Sequence, residues 1–230
     1  MSERDNILGR IREALKVPAP PADHQSHSRP SAALPTNFSS PIRKWLPAVG
    51  PSAEDQLALF RQKATGLKAD FHLLSGREEL ANKVAELRKA EGWTKVGAHS
   101  GVLTDFACQR LDLPICRTER GYQVEELENC NAGITECDAL VAQTGSVLVT
   151  ALSASGRALS VLPPHHVVLA RRDQLVGDLP EAFALLKQKY GAKHPSFISF
   201  ITGPSRTGDI ERILVLGAHG PQKLTILCLE

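Results

Sequence analysis

Between residues 71 and 116 short apolar runs alternate with amphipathic helical stretches, and few folds accommodate that rhythm. Phe71-His72-Leu73-Leu74, Lys95-Val96-Gly97-Ala98 and Leu113-Pro114-Ile115-Cys116 read as strands. Residues 76–91, with Leu80, Val84 and Leu87 at helical spacing, and residues 102–111 read as the helices between them. This β-α-β-α-β order predicts an α/β fold: a mainly parallel sheet flanked by helices, three-layered and Rossmann-like. The second half is richer in strands. Ala139-Leu140-Val141-Ala142 and Ser146-Val147-Leu148-Val149-Thr150 flank Gln143-Thr144-Gly145, which predicts a hairpin or tight turn. Residues 158–162 and 165–170 are apolar runs split by Pro163-Pro164. Residues 179–190 read as a helix, 196–201 and 223–228 as strands, and 212–216 as a β-prone run.

Ahead of this domain the character changes. Residues 17–51 carry Pro18, Pro20, Pro21, Pro30, Pro35, Pro41, Pro47 and Pro51, eight of the 15 prolines. Proline lacks the N–H that a helix or ladder needs, so an extended linker is expected. Before it, Ile7, Leu8, Ile11 and Leu15 recur at helical spacing. The expected organisation is an N-terminal helical arm over 1–16, a Pro-rich linker over 17–51 and one α/β domain over 52–230. Ser52 caps the first helix of that domain. The arm reads as a hook for a partner or a second copy of the chain, or as a helix packed on its own domain.

Composition removes several function classes. The net charge is +2, and no basic tract carries interleaved aromatics, which argues against a nucleic-acid partner. No apolar stretch reaches the roughly 18–20 residues that span a bilayer, and the charged N-terminus lacks a signal-peptide core, so no membrane role and a cytoplasmic location are expected. Cys108, Cys116, Cys130, Cys137 and Cys228 show no C-x-x-C spacing. Buried, reduced thiols are the expectation, with no metal and no iron–sulfur cofactor bound by this chain. P-loop, dinucleotide-binding and nucleophile-elbow patterns are absent.

The sharpest candidate site is residues 202–211. It follows the apolar run Phe197-Ile198-Ser199-Phe200-Ile201, and loops at the carboxyl ends of strands bind ligands in open α/β sheets. Gly203 and Gly208 let backbone approach a ligand. Thr202, Ser205 and Thr207 offer hydroxyls, and Arg206 a planar fork for carboxylate or phosphate. A helical turn starting here would add free N–H groups. Asp209 and Glu211 orient Arg206 or act as acid or base. A second candidate, Gly217-Ala218-His219-Gly220, leaves the His219 ring unobstructed for proton transfer. A third, Thr144, Gly145 and Ser146, suits an oxyanion as well as a plain turn. In a fourth, Arg157 offers a second clamp. His165 and His166 start a strand and so face opposite sides, which prevents them sharing one metal; one core and one exposed histidine are expected.

These segments together resemble the LUD-domain family. The resemblance rests on Gly133-Ile134-Thr135, Gln143-Thr144-Gly145-Ser146, and Gly156-Arg157 followed by Ser160-Val161-Leu162-Pro163-Pro164. It rests also on Ile201-Thr202-Gly203-Pro204-Ser205-Arg206-Thr207 with Asp209-Ile210-Glu211, and on Leu216-Gly217-Ala218-His219-Gly220-Pro221. It implies a fold like that of ribose-5-phosphate isomerase, glucosamine-6-phosphate deaminase and the CoA transferases. It also implies a part in oxidising L-lactate to pyruvate beside iron–sulfur partner proteins. Family members usually carry Glu where this chain has Gln143. In the CoA-transferase relatives of the fold a glutamate is the nucleophile, and an amide can neither form an acyl anhydride nor act as a base.

Two functions follow as expectations. One is a non-redox component of an L-lactate utilization system that binds a small anionic metabolite. The other is a stand-alone isomerase- or transferase-like enzyme on a phosphorylated or CoA-linked metabolite.

Overall fold

The computed structural model describes Glu13 and residues 46–208, 214–217 and 219–230. Leu46–Glu230 is a unit of its own, distinct from Met1–Trp45. The expected arm over 1–16, Glu13 apart, and the linker as far as residue 45 lie outside the described residues, as do Asp209 and Glu211.

The core of the unit is a six-stranded sheet in which every pairing is parallel. Its strands are β1 (Asp70–Leu74), β2 (Val96–Ala98), β3 (Ile115–Arg117), β4 (Ala132–Glu136), β7 (His165–Arg171) and β12 (Lys223–Leu229), in the order β1-β12-β7-β4-β2-β3. Residues 165–170 of β7 are all buried, the pattern of a strand covered on both faces.

Helices cover one face. They are α2 (Arg77–Glu91) and α3 (Val102–Cys108), which bring Leu80, Val84, Leu103 and Ala107 against Ile134, Val167, Leu169 and Leu227. Gly92, in the left-handed region at φ 66°, ends α2 and lets the Trp93 amide return to the Arg88 carbonyl. A short helix, α4 (Val124–Glu128), precedes β4; the sequence reading contains no helix there.

The other face differs from a purely helical layer. It is covered by α1 (Ala53–Gly66) together with a second sheet in the order β8-β5-β6-β9. Those strands are β5 (Ala139–Val141), β6 (Ser146–Thr150), β8 (Leu175–Val176) and β9 (Ile198–Ile201). β5 and β6 form the expected antiparallel hairpin. Period-two alternation explains how the second sheet fits in. Leu140, Val147 and Val149 pack on the parallel sheet, whereas Ala139, Val141 and Leu148 pack on α5 (Leu179–Tyr190). The Ser52 cap is present: its hydroxyl accepts from the Asp55 amide at 3.0 Å. Asp178 caps α5 in the same way, at 3.0 Å from the Glu181 amide.

The apolar run over 158–162 begins as a 3-10 turn, residues 158–160. It lies on β4, so close that a Cβ on Gly133 would stand 2.1 Å from the Leu159 carbonyl oxygen. Residues 206–208 form β10, paired antiparallel with β11 (Leu214–Leu216), where a helical turn was one expectation. Among the described residues, no helix is long and apolar enough to cross a membrane.

Candidate functional site

The segment after β9 does not lie at the carboxyl edge of the parallel sheet. β9 belongs to the second sheet, and the loop that follows it reaches the opposite, amino edge. The Ser205 amide donates to the Pro221 carbonyl at 2.8 Å, and its own carbonyl accepts from Gly217 at 3.0 Å. Pro221 stands just before β12. The Gln222 amide donates to Pro164, just before β7, at 2.8 Å. The general rule about carboxyl-edge loops therefore does not place this site, and its own geometry has to argue for it.

That geometry brings several of the expected residues together. Ser146 Oγ lies 2.8 Å from Thr144 Oγ1 and 2.7 Å from Thr202 Oγ1, so the hairpin and the β9 loop share a hydroxyl cluster. Their glycines have a packing reason. Gly145 (φ 67°) would place a Cβ 2.6 Å from the Ala64 amide, and Gly203 (φ 80°) one 2.6 Å from the Leu67 carbonyl. Both turns thus rest on the last turn of α1. Arg206 is exposed, and its Nη2 lies 3.5 Å from that same Cβ position on Gly203. A cation there also suits the negative pole of α1. Thr207 pairs with Val215 in the β10–β11 ladder.

Beneath residues 203–205 is a cavity of about 120 Å³, lined by Ser160, His166, Gly203, Ser205, Pro221 and Leu224 among others. His166 is buried on the second-sheet side of β7, and its Nε2 lies 2.9 Å from Thr135 Oγ1. Burial, with the charge of neighbouring His165, pushes its imidazole down to about 3, so the ring is neutral. Among the described residues its Nδ1 has no hydrogen-bond partner. A buried polar atom left so costs about 1–3 kcal/mol.

His165 faces the helix layer, edge-on to Trp93 at 5.4 Å, with Nε2 2.8 Å from Thr225 Oγ1. Neither histidine is exposed, which corrects the expectation of one core and one surface ring. The strand is covered on both faces, so both must be neutral. His219 is exposed and lies on an adjoining hollow of about 560 Å³, with Leu162, Pro164, Gly217, Gly220 and Gln222. Arg157 is exposed at the start of the 3-10 turn, and its carbonyl accepts from Ser160 Oγ at 2.9 Å. Among the described residues it forms no salt bridge.

The carboxyl edge is filled by the chain's own groups. Glu136 accepts from the Leu103 amide at 2.8 Å and the Thr104 amide at 3.2 Å, taking the place of an anion at the first turn of α3. His99 Nε2 accepts from the Glu136 amide at 2.9 Å, which leaves the proton on Nδ1, 2.9 Å from the Ser100 carbonyl. Arg117 bonds the His99 carbonyl at 2.9 Å and Asp105 at 2.7 Å. The sequence reading misses these residues. Gly101, where a Cβ would fall 2.2 Å from Glu136 Oε1, marks them only once the fold has brought the two together.

The five cysteines are all buried and fall in three separate core clusters. Burial pushes the thiols of Cys108, Cys130 and Cys228 up to about 11, and raises Cys116 and Cys137 as well. Among the described residues, no three His, Cys, Asp or Glu side chains gather as metal ligands would.

A family model described as the LUD domain matches residues 57–229. The chain belongs to the LUD domain family. The LUD chain is 36% identical over 187 residues to lactate utilization protein C of Anoxybacillus flavithermus, covering 78% of this chain and 83% of that one. It is 28% identical over 194 residues to the protein of the same name from Geobacillus kaustophilus, covering 78% and 80%. Among solved structures it resembles a DUF162 family protein from Deinococcus radiodurans, with TM-score 0.62 and 20% identity over 79% of this LUD chain and all (100%) of the other, a likeness of fold.

Gln143 is half-buried and donates through Nε2 to the Pro47 carbonyl at 3.0 Å. A carboxylate cannot donate there. Gln143→Glu is expected to lower folding stability by about 1–2 kcal/mol, since two acceptors would face each other. Urea unfolding of the two proteins checks this; an unchanged midpoint would remove the Pro47 tether from the account.

Proposed function

We propose that this LUD domain chain is a non-redox component of L-lactate utilization that binds a small anionic metabolite at the amino-edge site. The observation that carries the reading is the convergence of Arg206, Gly203 and the Thr144–Ser146–Thr202 hydroxyl cluster on one end of α1. Arg206 holds the anion as a planar fork, with the hydroxyls of Thr202, Ser205 and Ser146 completing the contacts. His219, with Asp209 and Glu211 beyond the described residues, supplies proton exchange, and Arg157 a second cation. The names of the relatives support the pathway. The buried, dispersed thiols support assigning the electron-carrying iron–sulfur groups to partner proteins rather than to this chain.

Thermal unfolding with and without L-lactate, pyruvate, sugar phosphates and CoA thioesters tests the reading. A ligand at about 100 times its Kd stabilises the fold by about 2.7 kcal/mol. The expected result is a rise in Tm with L-lactate or pyruvate, lost in Arg206→Ala while the ligand-free Tm is kept. A shift retained in Arg206→Ala would remove Arg206 from the site. Turnover of a sugar phosphate or CoA thioester by the purified chain would favour a stand-alone enzyme instead.

A further inference from the structure

Cys116 and Cys130 are far apart in function from the site above, and the fold sets them side by side. Residues in register across parallel strands turn their Cβ atoms to one face of the sheet, with the strands about 4.8 Å apart. Cys116 of β3 is in register with Gly97 of β2, and Gly97 with Gly133 of β4. The two glycines leave that face open, and Leu127, Cys130, Ala158 and Leu159 pack with Cys116 there. Cys130 Sγ lies 3.8 Å from where a Cβ on Gly97 would stand, above the strand next to Cys116. The thiols also act on each other. Burial raises both; beyond that, contact with Cys130 lowers Cys116 and contact with Cys116 raises Cys130, as when one S–H points at the other sulfur.

Beside the pair stands a surface ion pair. Lys95 Nζ lies 2.8 Å from Glu126 Oε1, and the two side chains are 28% and 45% exposed. Cys116 engages the Glu126 carboxylate, and the Lys95 ammonium acts on both sulfurs. Exposed ion pairs contribute little to stability, so this one parts readily and opens a way to the thiols. Cys116, 6% exposed, is met from solvent before Cys130, 1% exposed. A neighbouring ammonium favours a thiolate, the reactive form. Cys137 and Cys228 also share a cluster, but theirs lies between the two sheets. Cys108 lies in the helix-side core with neither of those pairs.

We infer that Cys116 and Cys130 form a dithiol site that a small peroxide oxidises to a reversible disulfide. Cys116 gives up its proton to solvent by way of Glu126, and the thiolate attacks one peroxide oxygen. The O–O bond breaks, the departing oxygen takes up a proton as water or an alcohol, and Cys116 becomes a sulfenic acid. The Cys130 sulfur then attacks the Cys116 sulfur, the S–O bond breaks and water leaves with the Cys130 proton. The sulfurs together supply the two electrons that reduce the peroxide. A dithiol reductant restores both thiols by exchange. The bridge ties β3, an edge strand of the parallel sheet, to the residues just before β4 and closes a loop around α4. This site is independent of the proposed function, since it shares no residue with the anion site.

The test treats the folded full chain with hydrogen peroxide, blocks the remaining thiols by alkylation in denaturant, and maps the peptides by mass spectrometry without reduction. The expected product is a peptide pair linked through Cys116 and Cys130, two hydrogens lighter than the two peptides with free thiols, while Cys108, Cys137 and Cys228 are recovered alkylated. Dithiothreitol is expected to remove the link. In Cys130→Ser the link is lost and Cys116 accumulates as sulfenic or sulfinic acid; in Cys116→Ser neither product forms. If either variant does not fold, the wild-type map decides alone. Sulfinic acid on Cys116 of the wild type with no link would show the second sulfur out of reach and overturn the inference. So would a link between Cys137 and Cys228 in its place, or thiols that react only after urea has unfolded the chain.

Discussion

Lowering the pH from 7 to about 5 is expected to remove about 2 kcal/mol of folding stability through His166 alone, and more once His165 is added. The sign follows from burial. Both rings are pushed down in the folded state, His166 to about 3 by burial and His165, and His165 by burial with Lys223 opposed by Glu91 and Asp70. In the unfolded chain each titrates near the ordinary ~6.5. Between that value and the folded one, the unfolded state binds more protons. Stability is complete above about pH 6.5 and falls by about 1.4 kcal/mol per pH unit for His166 below it, with His165 adding a loss of the same sign. Asp138 adds a lower window. Burial raises its carboxyl, but hydrogen bonds from Lys189, Ser153 and Tyr190 outweigh this and hold it below the usual range. Its contribution is therefore present above about pH 4 and lost as the pH falls further. Urea unfolding across this range checks the slope. Stability that is flat between pH 7 and 5 would mean that the histidines are not buried neutral.

Gly133→Ala is expected to cost about 3 kcal/mol, at the upper end of overpacking. The added methyl would stand 2.1 Å from the Leu159 carbonyl oxygen and 3.2 Å from Pro163 Cγ. The first is backbone in a 3-10 turn that cannot rotate away. The turn must lift off β4, taking with it Ser160, which lines the cavity beneath residues 203–205. Gly156→Ala is the contrast: nothing stands within 4 Å, and only its φ of 93° resists, so a cost of about 1–2 kcal/mol is expected. Equal costs for the two substitutions would remove the close approach of Leu159 from the account.

The parallel sheet was legible because the helical spacing of Leu80, Val84 and Leu87 in α2 lies between the short apolar runs of β1 and β2. The second sheet was harder. β5 and β6 are covered on both faces, so their runs read as strands without revealing which sheet they join. That ambiguity misplaced residues 202–207: a loop after a strand was legible, but which edge it reached depends on long-range pairing. The hydroxyl cluster came through in part, since Thr144, Ser146 and Thr202 were candidates before their 2.7–2.8 Å contacts were known. His166 was harder to assign. A histidine inside an apolar run signals a buried polar ring in need of partners, but only the fold brings Thr135 to one nitrogen. Gly133 and Gly101 likewise show their purpose only beside Leu159 and Glu136.

The most direct measurement is growth on L-lactate as sole carbon source of a strain lacking this chain, complemented with wild type or Arg206→Ala. The account predicts no growth without the chain, rescue by wild type, and failure of rescue by stably expressed Arg206→Ala. Normal growth of the deleted strain, in a background with no redundant L-lactate dehydrogenase, would contradict it.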